Sequence, residues 1–412
     1  MVPNGWNIED FESLGIKTID GDRGKNYPKK HEYLPEGYSL FLGADNVFND
    51  GLRLESKVFI SRDKHEQLGK GIVQYDDLLL IMRGNGTGRI CSYDQEISPY
   101  AHARINSGLI ILRLNQLKLN KIYALQLMRS NFVTKQFDSY MFGSAQPQLT
   151  VKILKSLRLP TPPLPEQQKI AKILSTWDKA IATTERLIAT SQQQKKALMQ
   201  QLLTGKKRLV NPETGKMFEG DWEEVKQGDV ATFFNGRAYK QTEWEETGTP
   251  VIRLQNLTGR GSEFYYSTLE LPDHQYCNTG DLLYMWSATF GPAIWHGEKA
   301  IYHYHIWKVE CNASRLNKRF MYFLLDFETQ KWMSQSNGMG LLHITKTTME
   351  KQTILLPNVK EQQKIASALT AADKDIELLE AKLAHLKDEK KALMQQLLTG
   401  KRRVKVEAME MA

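Results

Sequence analysis

The sequence contains one phrase twice, KKALMQQLLTGKKR at 195–208 and KKALMQQLLTGKRR at 390–403. EQQKIA also occurs at 166–171 and at 361–366, and both pairs share one offset, since 390 − 195 = 195 and 361 − 166 = 195. Aligned without gaps, 166–206 and 361–401 share 24 identities in 41 positions. A single offset kept over this length indicates an internal duplication, with halves of about 200 residues.

Each repeated segment places apolar residues at heptad spacing. Alternating steps of four and three from Ile365 to Leu397 meet apolar residues everywhere except at Lys390. The first copy keeps the same register but is more polar at Thr184 and Ser191. Apolar residues at a and d positions over several heptads are typical of a coiled coil.

The ends of both predicted helices are marked in the sequence. Pro165 suits the first turn of the first helix, and Gly205 and Gly400 follow the last apolar residues. Each helix should have about 40 residues and a length of roughly 60 Å. It could bury its apolar seam against its own domain or against the other copy. We favour an antiparallel coiled coil between the two copies.

The segments before the helices predict two similar heads. Both open with a Gly–Trp element, and both later carry an acidic residue, a strand, a polar turn and a second strand, in DDLLLIMRGNGTGRI (76–90) and GDLLYMWSATFGPAIW (280–295). We predict two mixed α/β domains related by pseudo-twofold symmetry and separated by the coiled coil. The predicted boundaries are 1–160 for the first head, 161–206 for the central helix, 207–358 for the second head with a linker at 207–219, and 359–412 for the last helix and basic tail.

Composition limits the kind of protein. The chain has 412 residues, a net charge of +8 and a pI near 9.1, which favours an anionic partner. It shows neither a secretory signal nor an apolar run of the roughly 20 residues that a membrane helix needs. Its three cysteines form no CxxC pair, which fits a reducing cytoplasm.

Polar turns and basic stretches in the heads supply candidate DNA contacts. Arginine pairs with guanine, and asparagine or glutamine with adenine, through two hydrogen bonds, while lysine and arginine also contact phosphates. The candidates in the first head are Arg23, Lys25, Lys29, Lys30, Arg83, Asn85, Thr87, Arg89, Gln146 and Gln148. Those in the second head are Arg237, Tyr239, Lys240, Arg253, Gln255, Ser287, Thr289 and His343. Any of these residues could instead be an ordinary loop group.

The sequence offers little support for catalysis. His303 and His305 in YHYHIW would share one strand face, but no third ligand at zinc-site spacing lies nearby. GNGTGRI lacks the Lys-Ser/Thr of a P-loop. No amino-methyltransferase motif and no Ser or Cys nucleophile in a familiar setting is present. We therefore predict no catalytic residue and no metal site.

Together, these segments resemble the specificity subunit of a Type I restriction–modification enzyme. LPTPPLPEQQKIAKIL and KKALMQQLLTGK match its central region, and LLPNVKEQQKIA with the second KKALMQQLLTGK matches its C-terminal one. The resemblance is specific in the helices and loose in the heads. It implies a non-catalytic subunit whose two target recognition domains read the halves of an asymmetric, interrupted DNA site, with the coiled coil setting the spacer.

The resemblance also implies partners that carry the chemistry. Two methyltransferase subunits would dock on the helices and use S-adenosylmethionine to methylate adenine, and two restriction subunits would use ATP and Mg²⁺. No cofactor is expected on this chain. We predict docking on the outer helix faces, at Gln167, Gln168, Lys169, Gln193, Gln201, Gln362, Gln363, Lys364 and Gln396. The alternatives are a self-contained DNA-modifying enzyme and a coiled-coil scaffold that binds no DNA.

Overall fold

The protein divides into two compact units, each containing one head and part of both long helices. We describe a computed structural model over residues 2–141, 148–335 and 344–406. The first unit comprises Met1–Glu185 with Lys382–Ala412, and the second comprises Arg186–Ala381. The predicted domain boundaries, which assign each helix to a region of its own, remain a prediction.

The first unit contains eleven strands among its described residues. They are β1 Asn7–Glu9, β2 Lys17–Asp20, β3 Ser39–Leu42, β4 Val47–Phe48, β5 Gly51–Leu52, β6 Phe59–Ile60, β7 Leu78–Ile81, β8 Ile90–Ser92, β9 Ala103–Ile105, β10 Leu109–Arg113 and β11 Leu159–Thr161. Its helices are α1 Arg62–Gln67, α2 Lys121–Arg129, α3 Asn131–Met141 and α4 Val151–Ser156, followed by the start of α5, Leu164–Leu202.

The second unit has corresponding elements. Its strands are β12 Glu223–Lys226, β13 Ala231–Asn235, β14 Thr249–Ile252, β15 Tyr265–Ser267, β16 Tyr276–Cys277, β17 Leu282–Ser287, β18 Thr289–Ile294, β19 Ala300–Tyr302, β20 Ile306–Cys311 and β21 Thr353–Leu356. Its helices are α6 Gln227–Val230, α7 Leu254–Leu257, α8 Lys318–Gln335 and α9 Lys346–Lys351, followed by the start of α10, Val359–Leu397.

The two heads share one sheet topology. The order β2-β10-β7-β8 in the first head corresponds to β13-β20-β17-β18 in the second, and all of these neighbours are antiparallel. A further sheet in each head contains one parallel pair, β3 with β9 or β14 with β19. The ribbon β1–β11 corresponds to β12–β21. The predicted mixed α/β class and the duplication are therefore confirmed.

The apolar cores combine each head with both long helices. Ile170 and Leu174 of α5 and Leu397 of α10 are buried in the core of the first unit. Ile365 and Leu369, at the positions offset by 195, are buried in the core of the second. The seam residues at the start of each helix therefore pack on their own head and on the end of the other helix, so both suggested packings occur together.

Ion pairs show that α5 and α10 run antiparallel within each unit. In the first unit, Asp178 pairs with Lys390 at 2.6 Å, and Glu185 pairs with Lys387 at 2.7 Å. The residue numbers of the partners in α10 therefore decrease as those in α5 increase. Lys390, the one polar residue in the seam of the second copy, is thus explained by its partner carboxylate. In the second unit, Lys195 pairs with Asp373 at the positions related by the 195-residue offset.

An arginine just after each long helix binds a buried glutamate at the start of the other. The Arg208 guanidinium donates two hydrogen bonds of 2.6 Å to the Glu361 carboxylate, which is fully buried. Arg403 likewise donates to Glu166 at 3.0 and 2.6 Å. The repeat thus encodes one tertiary contact twice.

Candidate nucleic-acid interface and partner surfaces

The second head gathers polar side chains at one edge of its parallel strand pair. Arg253 follows β14, and its backbone N–H donates to Asn256 Oδ1 at 2.8 Å. His303 follows β19, and its N–H donates to the Ile252 carbonyl at 2.9 Å. Because β14 and β19 are adjacent and parallel, their carboxyl ends place Arg253 and His303 together.

These residues line a cavity of about 300 Å³ in the second head, which we call the Arg253 pocket. Its lining is Arg253, Leu254, Gln255, Thr258, Arg260, Thr289, His303 and His305. The structure therefore brings together three predicted DNA contacts, Arg253, Gln255 and Thr289. Sequence reasoning had not named Arg260, and it had considered the two histidines only for zinc.

Aromatic rings hold the guanidinium groups of this head. Tyr239 stacks on Trp244 with ring centroids 4.8 Å apart, and Trp244 lies 4.5 Å from Tyr265. The Arg253 guanidinium lies 5.0 Å from the Tyr265 ring centroid and 5.9 Å from that of Trp244. Such cation–π contacts orient a guanidinium without neutralising it.

Arg237 is held differently. It lies 4.4 Å over Tyr239, and its guanidinium also pairs with Glu243 at 2.5 Å, which raises the pKa of the arginine. The guanidinium of this predicted DNA contact is therefore already paired with a carboxylate within the head. Lys240 is exposed, and Ser287 lies at the end of β17 in the turn before Thr289.

The histidines of the Arg253 pocket are neutral near neutral pH. Burial, together with the neighbouring His305 and Arg253, lowers the pKa of His303 to about 4. Burial also lowers the pKa of His305. A neutral imidazole has one donor and one acceptor nitrogen, so both rings can form hydrogen bonds of either kind.

In the first head, the predicted turn after β7 is polar, and some of its polar groups already form contacts within the head. The Thr87 hydroxyl donates to the Gly84 carbonyl at 2.8 Å, and the Arg89 guanidinium lies 5.5 Å from the Phe48 ring centroid. Arg83 forms a backbone bridge with exposed Gln148, and two of its guanidinium nitrogens are buried and have no hydrogen-bond partner among the described residues. Asn85 is exposed.

The basic stretch of the first head lies at its surface. Lys25, Lys29 and Lys30 are exposed, and Arg23 pairs with Asp20 at 3.3 Å. Lys29 precedes a short 3-10 turn, where its N–H donates to Glu32 at 2.7 Å. Lys240 makes the same contact with Glu243, so Lys-x-x-Glu followed by an aromatic residue marks equivalent turns in both heads.

Sequence reasoning missed a second aromatic cluster, in the first head. Tyr38 stacks on His102 with centroids 4.2 Å apart, and the Arg62 guanidinium lies 4.8 Å from the Tyr38 ring. The Arg104 Nε–H donates to His65 Nδ1 at 3.2 Å, and burial lowers the pKa of His65 to about 4. The residues come from separate segments, so no local motif identifies the cluster.

Two predicted contacts, Gln146 and His343, lie outside the described residues. Among the residues that are described, no group of three His, Cys, Asp or Glu side chains could hold a metal ion. Within the same part of the chain, no helix is long and apolar enough to span a membrane.

The placement of Gln167 and Gln362 on outer helix faces was wrong. Gln167 is 1% exposed, and its amide bonds the Asn120 N–H and the Lys118 and Pro162 carbonyls. Gln362 repeats this arrangement in the second unit. A residue outside the coiled-coil seam is still buried where a head packs on that side of the helix. The other predicted docking residues are exposed or, for Lys169, half-buried: Gln168, Lys169, Gln193, Gln201, Gln363, Lys364 and Gln396.

Each unit instead has a groove beside the end of one long helix. The first groove, of about 620 Å³, is lined from α10 and the turn after it by Lys391, Met394, Gln395, Leu398 and Thr399, among others. The second, of about 560 Å³, is lined from α5 and the turn after it by Lys196, Met199, Gln200, Leu203 and Thr204. Adding 195 to each number in the second set gives the first set, with identical residue types. The doubled phrase therefore presents the same face to two grooves.

Comparison with known proteins identifies one family across both halves. The model of the Type I restriction modification DNA specificity domain matches residues 7–190 and 219–388. The MjaVIII specificity subunit of a type I restriction enzyme from Methanocaldococcus jannaschii is 28% identical over 425 residues, covering 98% of this chain and 94% of that protein.

Solved structures show the same fold. A chain from a study of complex assembly and conformational transition in the type I R-M system aligns with a TM-score of 0.63 and 18% identity, covering 98% of this chain and 100% of that one. The S subunit of a Type-I restriction-modification system from M. genitalium aligns with a TM-score of 0.57 and 15% identity, covering 97% and 98% of the two chains.

Proposed function

The chain belongs to the Type I restriction modification DNA specificity family, and from this premise we propose that its heads read the two halves of an asymmetric, bipartite DNA site. It acts as the non-catalytic subunit of a methyltransferase and endonuclease complex. The observation that supports this most is that heads of one topology carry different side chains at equivalent edges. Base contacts specify sequence while the scaffold only positions them, so two such heads suit two different half-sites.

Exchange of the first head tests whether each head reads its own half-site. Residues 1–158 are replaced by the same region of another specificity subunit, and preferred duplexes are selected from a random pool with the assembled complex. We expect one half-site to change and the other to stay the same, because base contacts belong to separate heads. Simultaneous change of both half-sites would contradict independent reading.

The two long helices set the unread gap between the half-sites. A heptad inserted after Thr183 in α5 and another between Leu379 and Leu386 in α10 preserve the 3.5-residue period of the seam. Each helix grows by about 10 Å at ~1.5 Å per residue. At ~3.4 Å per base pair, the gap should grow by roughly three base pairs with both half-sites unchanged.

The same selection from random duplexes checks this expectation. Insertion of four residues in each helix is the matched control, because it breaks the heptad register and should impair assembly instead. An unchanged gap with normal binding of the heptad variant would show that the helices do not set the spacing.

We propose further that each groove receives one methyltransferase subunit. Identical side chains from the doubled phrase line both grooves, so one partner surface would be recognised twice. The partner would bring S-adenosylmethionine, and two restriction subunits would bring ATP and Mg²⁺. The shared lining of methionine, leucine and lysine suits an apolar partner segment that carries acidic residues.

A further inference from the structure

The residues of the Arg253 pocket differ from those at the equivalent positions of the first head. Equivalent positions are fixed by matching contacts: the Gly43 N–H donates to Asn46 Oδ1 at 2.9 Å, as Arg253 donates to Asn256. The Asn106 N–H likewise donates to the Leu42 carbonyl at 2.8 Å, as His303 donates to that of Ile252. The first head thus has Gly43 and Asn106 where the second has Arg253 and His303.

Close backbone packing confirms this correspondence. A Cβ atom added at Gly21 would lie 2.1 Å from the Asn106 carbonyl oxygen, and one at Gly236 would lie 2.3 Å from that of His303. Both heads therefore need glycine at the same point, and the next residue is Asp22 in one head and Arg237 in the other. The two heads therefore share this backbone arrangement but carry different side chains at this edge.

Arg253 is the oriented guanidinium of the pocket. Among the ion pairs formed by the described residues, none involves Arg253, whereas Arg237 is bound to Glu243. Two aromatic faces, Trp244 and Tyr265, hold Arg253 in place. A planar guanidinium held by stacking keeps its edge donors available for a second planar group.

The rest of the lining suits a nucleobase edge better than a phosphate. A phosphate site gains from several converging cations. Arg260 is the one further cation in this lining and is exposed, while His303 and His305 are neutral at neutral pH because burial lowers the pKa of each ring. Gln255 and Thr289 add further neutral donors and acceptors. Guanine presents O6 and N7 side by side as acceptors, and arginine pairs with them through two parallel hydrogen bonds.

We propose that Arg253 reads a guanine in the half-site of the second head, with Trp244 and Tyr265 as positioning residues for its guanidinium. This assignment rests on the proposed function, because it names a base contact within the recognition that the family implies. It also predicts that this contact has no counterpart in the first half-site, where Gly43 occupies the equivalent position.

The test compares wild-type and Arg253→Lys chains, each assembled with its methyltransferase subunits. Binding is measured for duplexes in which every position of the second half-site is varied in turn. We expect discrimination at one G·C pair to fall by roughly 5- to 150-fold, since a bidentate pair gives about 1–3 kcal/mol of discrimination and 1.4 kcal/mol is tenfold. Preferences in the first half-site should stay unchanged, which also shows that the variant is folded.

Arg319→Lys is the matched control. Arg319 lies in the same head, 5.8 Å over the Tyr322 ring, but does not line the Arg253 pocket. It should leave every base preference intact. Arg253→Gln should repeat the loss seen with Arg253→Lys, because neither side chain presents the guanidinium fork.

Three results would overturn the assignment. The first is a second half-site without a G·C pair. The second is an equal loss of affinity for all sequences with Arg253→Gln and a salt slope reduced by about one, because this variant removes the charge of a phosphate contact whereas Arg253→Lys keeps it. The third is no change at all with Arg253→Lys. A wild-type complex that selects no sequence would instead overturn the proposed function, and with it this assignment, before any variant is compared.

Discussion

A chain carrying both Gln200→Trp and Gln395→Trp should fold normally but copurify without methyltransferase subunits. Both glutamines are exposed and line the second and first groove, respectively. An indole at either position fills space that a docked partner would need, while the buried neighbours Leu203 and Leu398 are left untouched. Methylation by the assembled enzyme should fall to background, because the chain has no proposed catalytic residue of its own.

The single variants give a sharper result than the double variant. Gln200→Trp alone should leave the first groove intact, and Gln395→Trp alone the second, so each complex should retain one methyltransferase subunit instead of two. Native mass spectrometry of the purified complex measures this ratio directly. Loss of both subunits with either single variant would contradict independent docking at the two grooves.

The neighbouring glutamines provide the control. Gln201 and Gln396 are exposed and follow Gln200 and Gln395, but they do not line the grooves. Gln201→Trp with Gln396→Trp should therefore keep two partners. If this pair abolished docking while the groove pair did not, the outer faces predicted from the sequence would be the docking surface.

Arg208→Ala should destabilise the second unit by about 3–5 kcal/mol, because it leaves a buried carboxylate without its partner. The Glu361 side chain is fully buried and receives two hydrogen bonds of 2.6 Å from Arg208, whose own side chain is 23% exposed. Hydrogen exchange of peptides within 186–381 measures the local free energy of opening. A change below 1 kcal/mol would show that Glu361 finds another partner or reaches water.

The duplicated contact is the internal comparison for this prediction. Arg403→Ala should cost less, because Glu166 still accepts a hydrogen bond of 3.0 Å from the Trp6 indole. In the second unit the corresponding indole nitrogen of Trp222 is buried and meets no hydrogen-bond partner in the described part of the chain. Replacing Arg208 and Glu361 together by leucine should recover most of the lost stability, since an apolar pair leaves no charge buried.

The repeat allowed the helices and their direction to be predicted from sequence. Heptad spacing placed both helices within a few residues, and Lys390 was recognised as the polar exception in its seam. Its partner Asp178 could not be identified, because the two residues are 212 positions apart and pair only once the helices are antiparallel. Likewise, Gln167 was expected outside because the heptad pattern describes one helix face and not the head that covers another.

The candidate interface was only partly predictable for a related reason. Arg253, Gln255 and Thr289 were named from residue type in polar turns, which is a local property. His303 joins them because β14 and β19 are parallel neighbours, although about fifty residues separate them in the chain. The loss of Arg237 as a free contact depends on Glu243, and only the folded turn shows that pairing.

The discontinuous make-up of the first unit has a consequence for synthesis. The second unit is one continuous segment, Arg186–Ala381, whereas the first needs Lys382–Ala412 to complete it. Leu397 is part of its core, and the carboxylate of Glu166 has its ion pair only once Arg403 has been made. At about 5–20 residues per second, the ribosome needs roughly 10–40 s to make the intervening 381 − 185 = 196 residues. The head made first is therefore finished last, and during this interval Ile170 and Leu174 of the nascent chain pack on their own head without the cover that Leu397 and Leu398 supply.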